Sequence, residues 1–243
     1  MVWDVARAMG GSVLLRIEDH DRQRCRAEFE AALLEDLSWL GFVPDEGPVR
    51  QSDDDAPYAD ARARLSADGL VYACDCSRST FARWAAEDGR AWSGPGCPGG
   101  CRERGLDDRP GRVLRLVLGN GDEAWDDLAL DARSGPVATS GDPPARDRHG
   151  NWTYGFSVVV DDLRQGIGLV VRGEDLLDAT PDQIRLGRLL GRPEPPRFLH
   201  HGLILRPDGA KLSKSSRDTG VRDLRAAGWT REQVISAARA ALS

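Results

Sequence analysis

Three short apolar segments of this chain end in charged tips and lead on toward helical sequence, and that repetition restricts the fold more than any other feature. Ser12 to Ile17 closes on Arg16-Ile17-Glu18-Asp19. Ile167 to Val171 closes on Arg172-Gly173-Glu174-Asp175, and Phe198 to Leu205 leads to Lys211-Leu212-Ser213-Lys214-Ser215. Strands alternating with helices in this way describe an α/β protein with a doubly wound sheet. Ligands of such sheets bind outside the carboxyl ends of the strands, so the three tips are expected to converge.

The helical segments between them have readable faces. Residues 2–9 look like the tail of a helix. A helix from about Arg22 to Leu40 would carry Phe29, Leu33, Leu37 and Leu40 on one stripe and stop at Gly41. Asp53 to Asp55 open another, with Tyr58, Ala61 and Leu65 inward. Thr180, Pro181 and Gln183 have the spacing of an N-cap, a first helical position and a capping box. Two short helices broken at Gly228 end the chain. Residues 107–150 are rich in Gly, Asp, Pro and Arg, show one clear strand at Val113–Leu118, and read as an insertion.

Four of the five cysteines lie close together, as Cys74-x-Cys76 and Cys97-x3-Cys101, with glycines and prolines around the second pair. Four thiolates suit one closed, structural, tetrahedral Zn2+, and no ligand position is left for catalysis. Two disulfides, or four small buried hydrophobes, are the alternatives, and a reducing compartment disfavours the first. Cys25 stands alone and reads as inert.

Charge adds a further clue. All but two of the 33 basic residues are arginine, and the two lysines, Lys211 and Lys214, share one segment. A lysine meets phosphate as a point charge on a flexible stem, and flanking serines with Gly209 let a loop close over it. Two solvated lysines on a loop are the other reading. The formal net charge of −6 argues against a broad electrostatic nucleic-acid binder and leaves room for a local basic face. With no long apolar run and no leader pattern, a soluble, cytoplasmic protein that binds no membrane is expected. Asp161-Asp162 point apart in regular structure and read as structural or capping. His200-His201 read as packing groups that line a nucleotide site.

These motifs, in this order, resemble a known family. Lys211-Leu212-Ser213-Lys214-Ser215 is similar to the KMSKS signature, and Leu15 to Asp21 to the L-R-I-E-D-x-D stretch of glutamyl enzymes. Tyr154 to Asp162, Val171 to Leu177 and Thr180-Pro181-x-Gln183 match their second half. From Met1 to its last residue the chain thus resembles the class I aminoacyl-tRNA synthetases of the glutamate type. The cysteine segment sits where their shorter branch, the glutamyl-queuosine tRNA(Asp) synthetases, carries zinc ligands. Cys97 stands where that branch commonly has a tyrosine, and a thiolate is at least as good a ligand.

The resemblance implies a Rossmann-type catalytic domain over residues 1–71 and 152–215, a zinc-binding insertion over 72–151, and a helical tail over 216–243. It implies that glutamate is activated with ATP and Mg2+ and attached by a monomer to the queuosine base of tRNA(Asp). Glu18 would hold the α-amino group of glutamate, Arg172 a substrate carboxylate, and Tyr154 would supply a hydroxyl and one pocket wall. Lys214 would bind ATP phosphate and stabilise departing pyrophosphate, with Lys211 in support. On the residues alone, Glu18 could simply pair with Arg16, Tyr154 could be a half-buried core residue, and Arg172 could bridge Glu174 or Asp175. The first strand of the family's sheet and its HIGH motif have no counterpart before residues 2–9. A start codon upstream of Met1 is the expected explanation, and a truncated, disabled product is the other. A fragment of a glutamyl-tRNA synthetase and a non-catalytic zinc module that binds nucleotide or RNA remain alternatives.

Overall fold

A computed structural model describes residues 1–20, 25–87, 96–205 and 220–241. In chain order its elements begin α1 (Val2–Ala8), β1 (Leu14–Ile17), α2 (Ala27–Trp39), β2 (Glu46–Arg50), α3 (Ala56–Ala67), β3 (Val71–Cys74) and α4 (Arg78–Glu87). There follow β4 (Val113–Leu116), β5 (Asp122–Asp127), β6 (Asp131–Pro136), β7 (Pro144–Arg146) and α5 (Tyr154–Arg164). The last are β8 (Leu169–Gly173), α6 (Thr180–Leu189), β9 (Arg197–His201), α7 (Val221–Ala226) and α8 (Arg231–Ala240). The chain divides into two compact units. The first holds Met1–Arg50, Val171–Leu177 and Leu199–Ser243; the second holds Gln51–Val170 and Asp178–Phe198.

In the first unit β1 and β2 pair in parallel, with Leu14 opposite Glu46 and Ile17 opposite Arg50. Gly47 has φ +93°, and a side chain there would bring a Cβ within 2.4 Å of the Leu15 carbonyl oxygen, so the close approach of the strands requires glycine. Trp3 of α1 stacks on Phe42 at 4.9 Å and donates its indole N–H to the Val43 carbonyl. The expected apolar stripe of α2 is not a core face. Phe29 and Leu33 are exposed, and no residue of the helix is fully buried. Charges hold this helix instead: Arg50 pairs with Glu30, and Arg225 of α7 reaches Glu35 and Asp36 while lying over the Trp39 ring.

The second unit contains the larger apolar core. Tyr58, Ala61 and Leu65 of α3 are buried as their spacing requires, against Trp152, Phe156, Val159 and Leu186. Strands β3, β4 and β7 form an antiparallel sheet in that order. A second sheet runs β6-β5-β9-β8, antiparallel between β5 and β6 and parallel between β5 and β9 at Asp127 and Phe198. The described residues therefore form three sheets where the strand–helix alternation suggests one.

The block 107–150, where hydropathy marks one strand, carries four. β5 escapes notice because its inward positions include Glu123 and Asp127. Both are buried with partners: Arg185 and Arg188 of α6 hold Glu123, and the amides of Ala129 and Leu130 donate to Asp127. Thr180 also differs from its expected role. The 3-10 turn Glu174–Ala179 leads straight into α6, so Ala179 is the cap residue and Thr180 is buried in the first turn. Among the described residues, no helix is long and apolar enough to cross a membrane.

Candidate functional site

The four clustered cysteines are brought together. Cys74 ends β3, Cys76 lies two residues on, and Cys97 and Cys101 flank a tight turn. All four are buried, and their Sγ atoms lie within 4.8 Å of one another. Four sulfurs about 2.3 Å from a tetrahedral metal lie about 3.8 Å apart, so the cluster has the size and donor set for one such ion. A Cβ on Gly96 would sit 1.9 Å from the Ser140 carbonyl oxygen, so only glycine lets the chain enter this turn. Cys97 and Asp142 exchange backbone hydrogen bonds at 3.0 and 2.7 Å.

The electrostatics around the sulfurs are uneven. Hydrogen bonds from Cys74, from Tyr72 and from the Gly99 and Cys101 amides draw the Cys97 thiol down to about 5, against the effect of burial. Burial, then the neighbouring Cys101, pushes Cys76 up to about 12. The Cys74 thiol is raised by its bond to Cys97 and by burial. One sulfur thus already favours the thiolate, the form that binds a metal; an ion bound to all four would displace the remaining protons. Around them, Arg104 approaches the Cys101 sulfur at 3.3 Å while pairing with Asp75 at 2.6 Å. Asp142, which is fully buried, accepts from Tyr72 at 2.7 Å and from Arg102 at 2.7 Å. Nothing in the cysteine spacing points to Asp142, because its partners lie far away in sequence.

At the strand tips of the first unit, Arg172 is buried and donates its Nε–H to Nε2 of the buried His200 at 3.0 Å. His200 accepts there through Nε2. The bond fixes the plane of the guanidinium and hence the direction of its two terminal nitrogens, the geometry in which arginine meets a carboxylate. A Cβ on Gly173 would lie 2.5 Å from a carboxylate oxygen of Asp175 and 2.8 Å from Leu203, so the tip turns tightly behind Arg172. Glu18 pairs with Arg16 at 3.3 Å, as the plainer reading of that pair has it, and its carboxylate is well exposed. In the second unit Tyr154 opens α5 and is exposed, which excludes the half-buried core tyrosine. Lys211 and Lys214 lie outside the described residues. Asp161 is structural, as expected: it is fully buried and accepts from Gln51, Tyr58 and Arg164.

The chain matches known proteins in sequence and in fold. Residues 1–90 and 145–241 fit the family described as tRNA synthetases class I (E and Q), catalytic domain; the match passes over residues 91–144. The chain is 40% identical to the glutamyl-Q tRNA(Asp) synthetase of Symbiobacterium thermophilum, over 97% of this chain and 77% of that protein. It is 39% identical to that of Rhodobacter capsulatus, over 93% and 87%. A solved glutamate tRNA ligase from Elizabethkingia meningosepticum, in complex with its amino acid, superposes with a TM-score of 0.70 at 27% identity. That match covers 90% of this chain, which spans about half (47%) of the ligase. The fold is that of a class I tRNA synthetase catalytic domain, an enzyme of the ligase type. Within that class the chain belongs to the glutamyl-Q tRNA(Asp) synthetase family.

Proposed function

We propose that this protein activates glutamate with ATP and transfers it to the queuosine base of tRNA(Asp), acting in the cytoplasm as a monomer. The observation that carries the reading is identity of about 40% along nearly the whole chain to two glutamyl-Q tRNA(Asp) synthetases. In this reading Arg172, steadied by His200, grips a substrate carboxylate with its fork, and Glu18 receives the α-amino group. Tyr154 supplies a hydroxyl and a pocket wall. Lys214, with Lys211, binds ATP phosphate together with Mg2+ and stabilises the charge that develops as pyrophosphate leaves; the catalysis is positioning and electrostatics. Cys74, Cys76, Cys97 and Cys101 hold one structural Zn2+, a role supported by four buried sulfurs that lie within 4.8 Å of one another. The ion would lock the turn carrying Cys97 and Cys101 to the end of β3.

The test has two stages. Glutamate-dependent exchange of pyrophosphate into ATP measures activation. Incorporation of labelled glutamate into tRNA(Asp) with and without queuosine measures transfer. Exchange specific to glutamate, and label only on the queuosine-containing tRNA, are expected. No exchange, or equal labelling of tRNA lacking queuosine, overturns the reading.

A further inference from the structure

In the second unit, the loop 107–112 before β4, with Arg146 at the end of β7 and the loop 147–150 after it, lines an open cleft of about 340 Å3 that none of the roles above uses. Four arginines line it, Arg109, Arg112, Arg146 and Arg148, against two aspartates, Asp108 and Asp147. Its arginine-rich wall stands out in a chain whose net charge is −6.

The acids are already committed. Asp108 is shared by Arg62 and Arg146. Asp147 takes the amides of His149 and Asn151 and the Asn151 side chain, which builds the turn. Arg112 is anchored on the Asp107 carbonyl at 2.8 Å, and the Gly111 amide joins the loops by donating to the Arg148 carbonyl at 3.2 Å. Arg109 and Arg148 are exposed, and among the described residues neither forms an ion pair. Arg109 and Arg148 thus line a polar cleft whose carboxylates are spent on other partners. A polyanion with regularly spaced phosphates fits that arrangement.

We propose that this arginine cleft docks the phosphodiester backbone of the tRNA. The inference rests on the proposed function for the identity of the RNA, but its test does not depend on catalysis. Equilibrium binding of tRNA(Asp) is measured at several salt concentrations for the wild type, Arg109→Ala/Arg148→Ala and Arg109→Lys/Arg148→Lys. Zinc content and melting temperature serve as folding controls.

The alanine pair is expected to weaken binding about eight-fold at 0.1 M salt for each phosphate no longer neutralised, and to lower the slope of log K against log salt by roughly one to two. Lysine keeps a point charge and should retain most of the slope. Glutamate-dependent pyrophosphate exchange should be unchanged in both variants. Wild-type affinity and slope in the folded alanine pair would overturn the cleft. So would displacement of tRNA by inorganic phosphate beyond that by chloride at equal ionic strength, which would make it a free-phosphate site. Absence of exchange in the wild type counts against the proposed function alone, because the binding comparison still decides the cleft.

Discussion

Replacing Asp161 with alanine should destabilise the second unit by about 2–7 kcal/mol. The magnitude follows from what the carboxylate serves. Gln51 donates to it at 2.6 Å and Tyr58 at 3.0 Å, and both residues are buried, so each would lose this acceptor where water does not replace it. Each such orphan costs about 1–3 kcal/mol. Arg164 donates at 2.8 Å, but its side chain is 32% exposed and can turn to solvent, so its share is no more than about 1 kcal/mol. Tyr58→Phe removes one donor and leaves the others in place, at a cost of about 1 kcal/mol. In the double variant the Tyr58 orphan no longer exists, so its loss should fall short of the sum of the singles by about 1–3 kcal/mol. Guanidinium denaturation followed by circular dichroism and by tryptophan emission measures all three; Trp152 lies 6.2 Å from the Tyr58 ring and reports on this core. A loss below about 1 kcal/mol for Asp161→Ala, or strict additivity in the cycle, would refute the reasoning.

Other consequences are open to measurement. Arg172→Lys loses the planar fork and its bond to His200, and should lower kcat/KM for glutamate in pyrophosphate exchange about 10- to 100-fold; an unchanged value removes Arg172 from the carboxylate site. Lys214→Ala should cut exchange about a hundred-fold or more while metal content stays constant; intact exchange would show that this lysine does not handle ATP. The purified protein should carry one zinc per chain, and strong chelators or Cys97→Ser should lower both zinc content and melting temperature; a metal-free chain of equal stability contradicts a structural ion. Burial raises the pKa of Asp182, whose carboxylate accepts from the Ala138 amide at 2.6 Å. Between the unfolded and the folded pKa the folded form therefore holds a proton that the unfolded form has released, and stability falls as pH rises through the folded pKa. Asp182→Asn keeps an acceptor without the charge, so its melting temperature should exceed that of the wild type increasingly as pH rises above the ordinary carboxylate range. A constant difference across pH would mean that Asp182 carries no such penalty.

What was legible in the sequence was local. Tyr58, Ala61 and Leu65 share a helix face by spacing alone, and the two cysteine pairs announce a four-sulfur cluster by their positions and their glycine-rich surroundings. The misses have a common cause, which is that side-chain partners from distant segments changed the meaning of a residue. Glu123 and Asp127 look like surface acids and are buried because arginines of α6 and nearby amides receive them. Phe29 and Leu33 look like core and stay exposed, since charged contacts with β2 and α7 fix their helix. Asp142 carries no motif, although it ties Tyr72, Arg102 and the Cys97 backbone together. Thr180 has the residue type of a cap, but a preceding 3-10 turn occupies the capping position.

The clamp at Asp142 also sets an order of events during synthesis. Arg102 precedes Asp142 by 40 residues and Tyr72 precedes it by 70, so all four cysteines are translated before the residue that fastens their turn. At elongation speeds of about 5–20 residues per second, roughly 2–8 s separate Arg102 from Asp142. Once outside the ribosome, the thiols spend that interval without the Asp142 contacts that hold Cys97 in register. A metal ion captured then would act as an early folding template, and an oxidant arriving first would cross-link the wrong sulfurs.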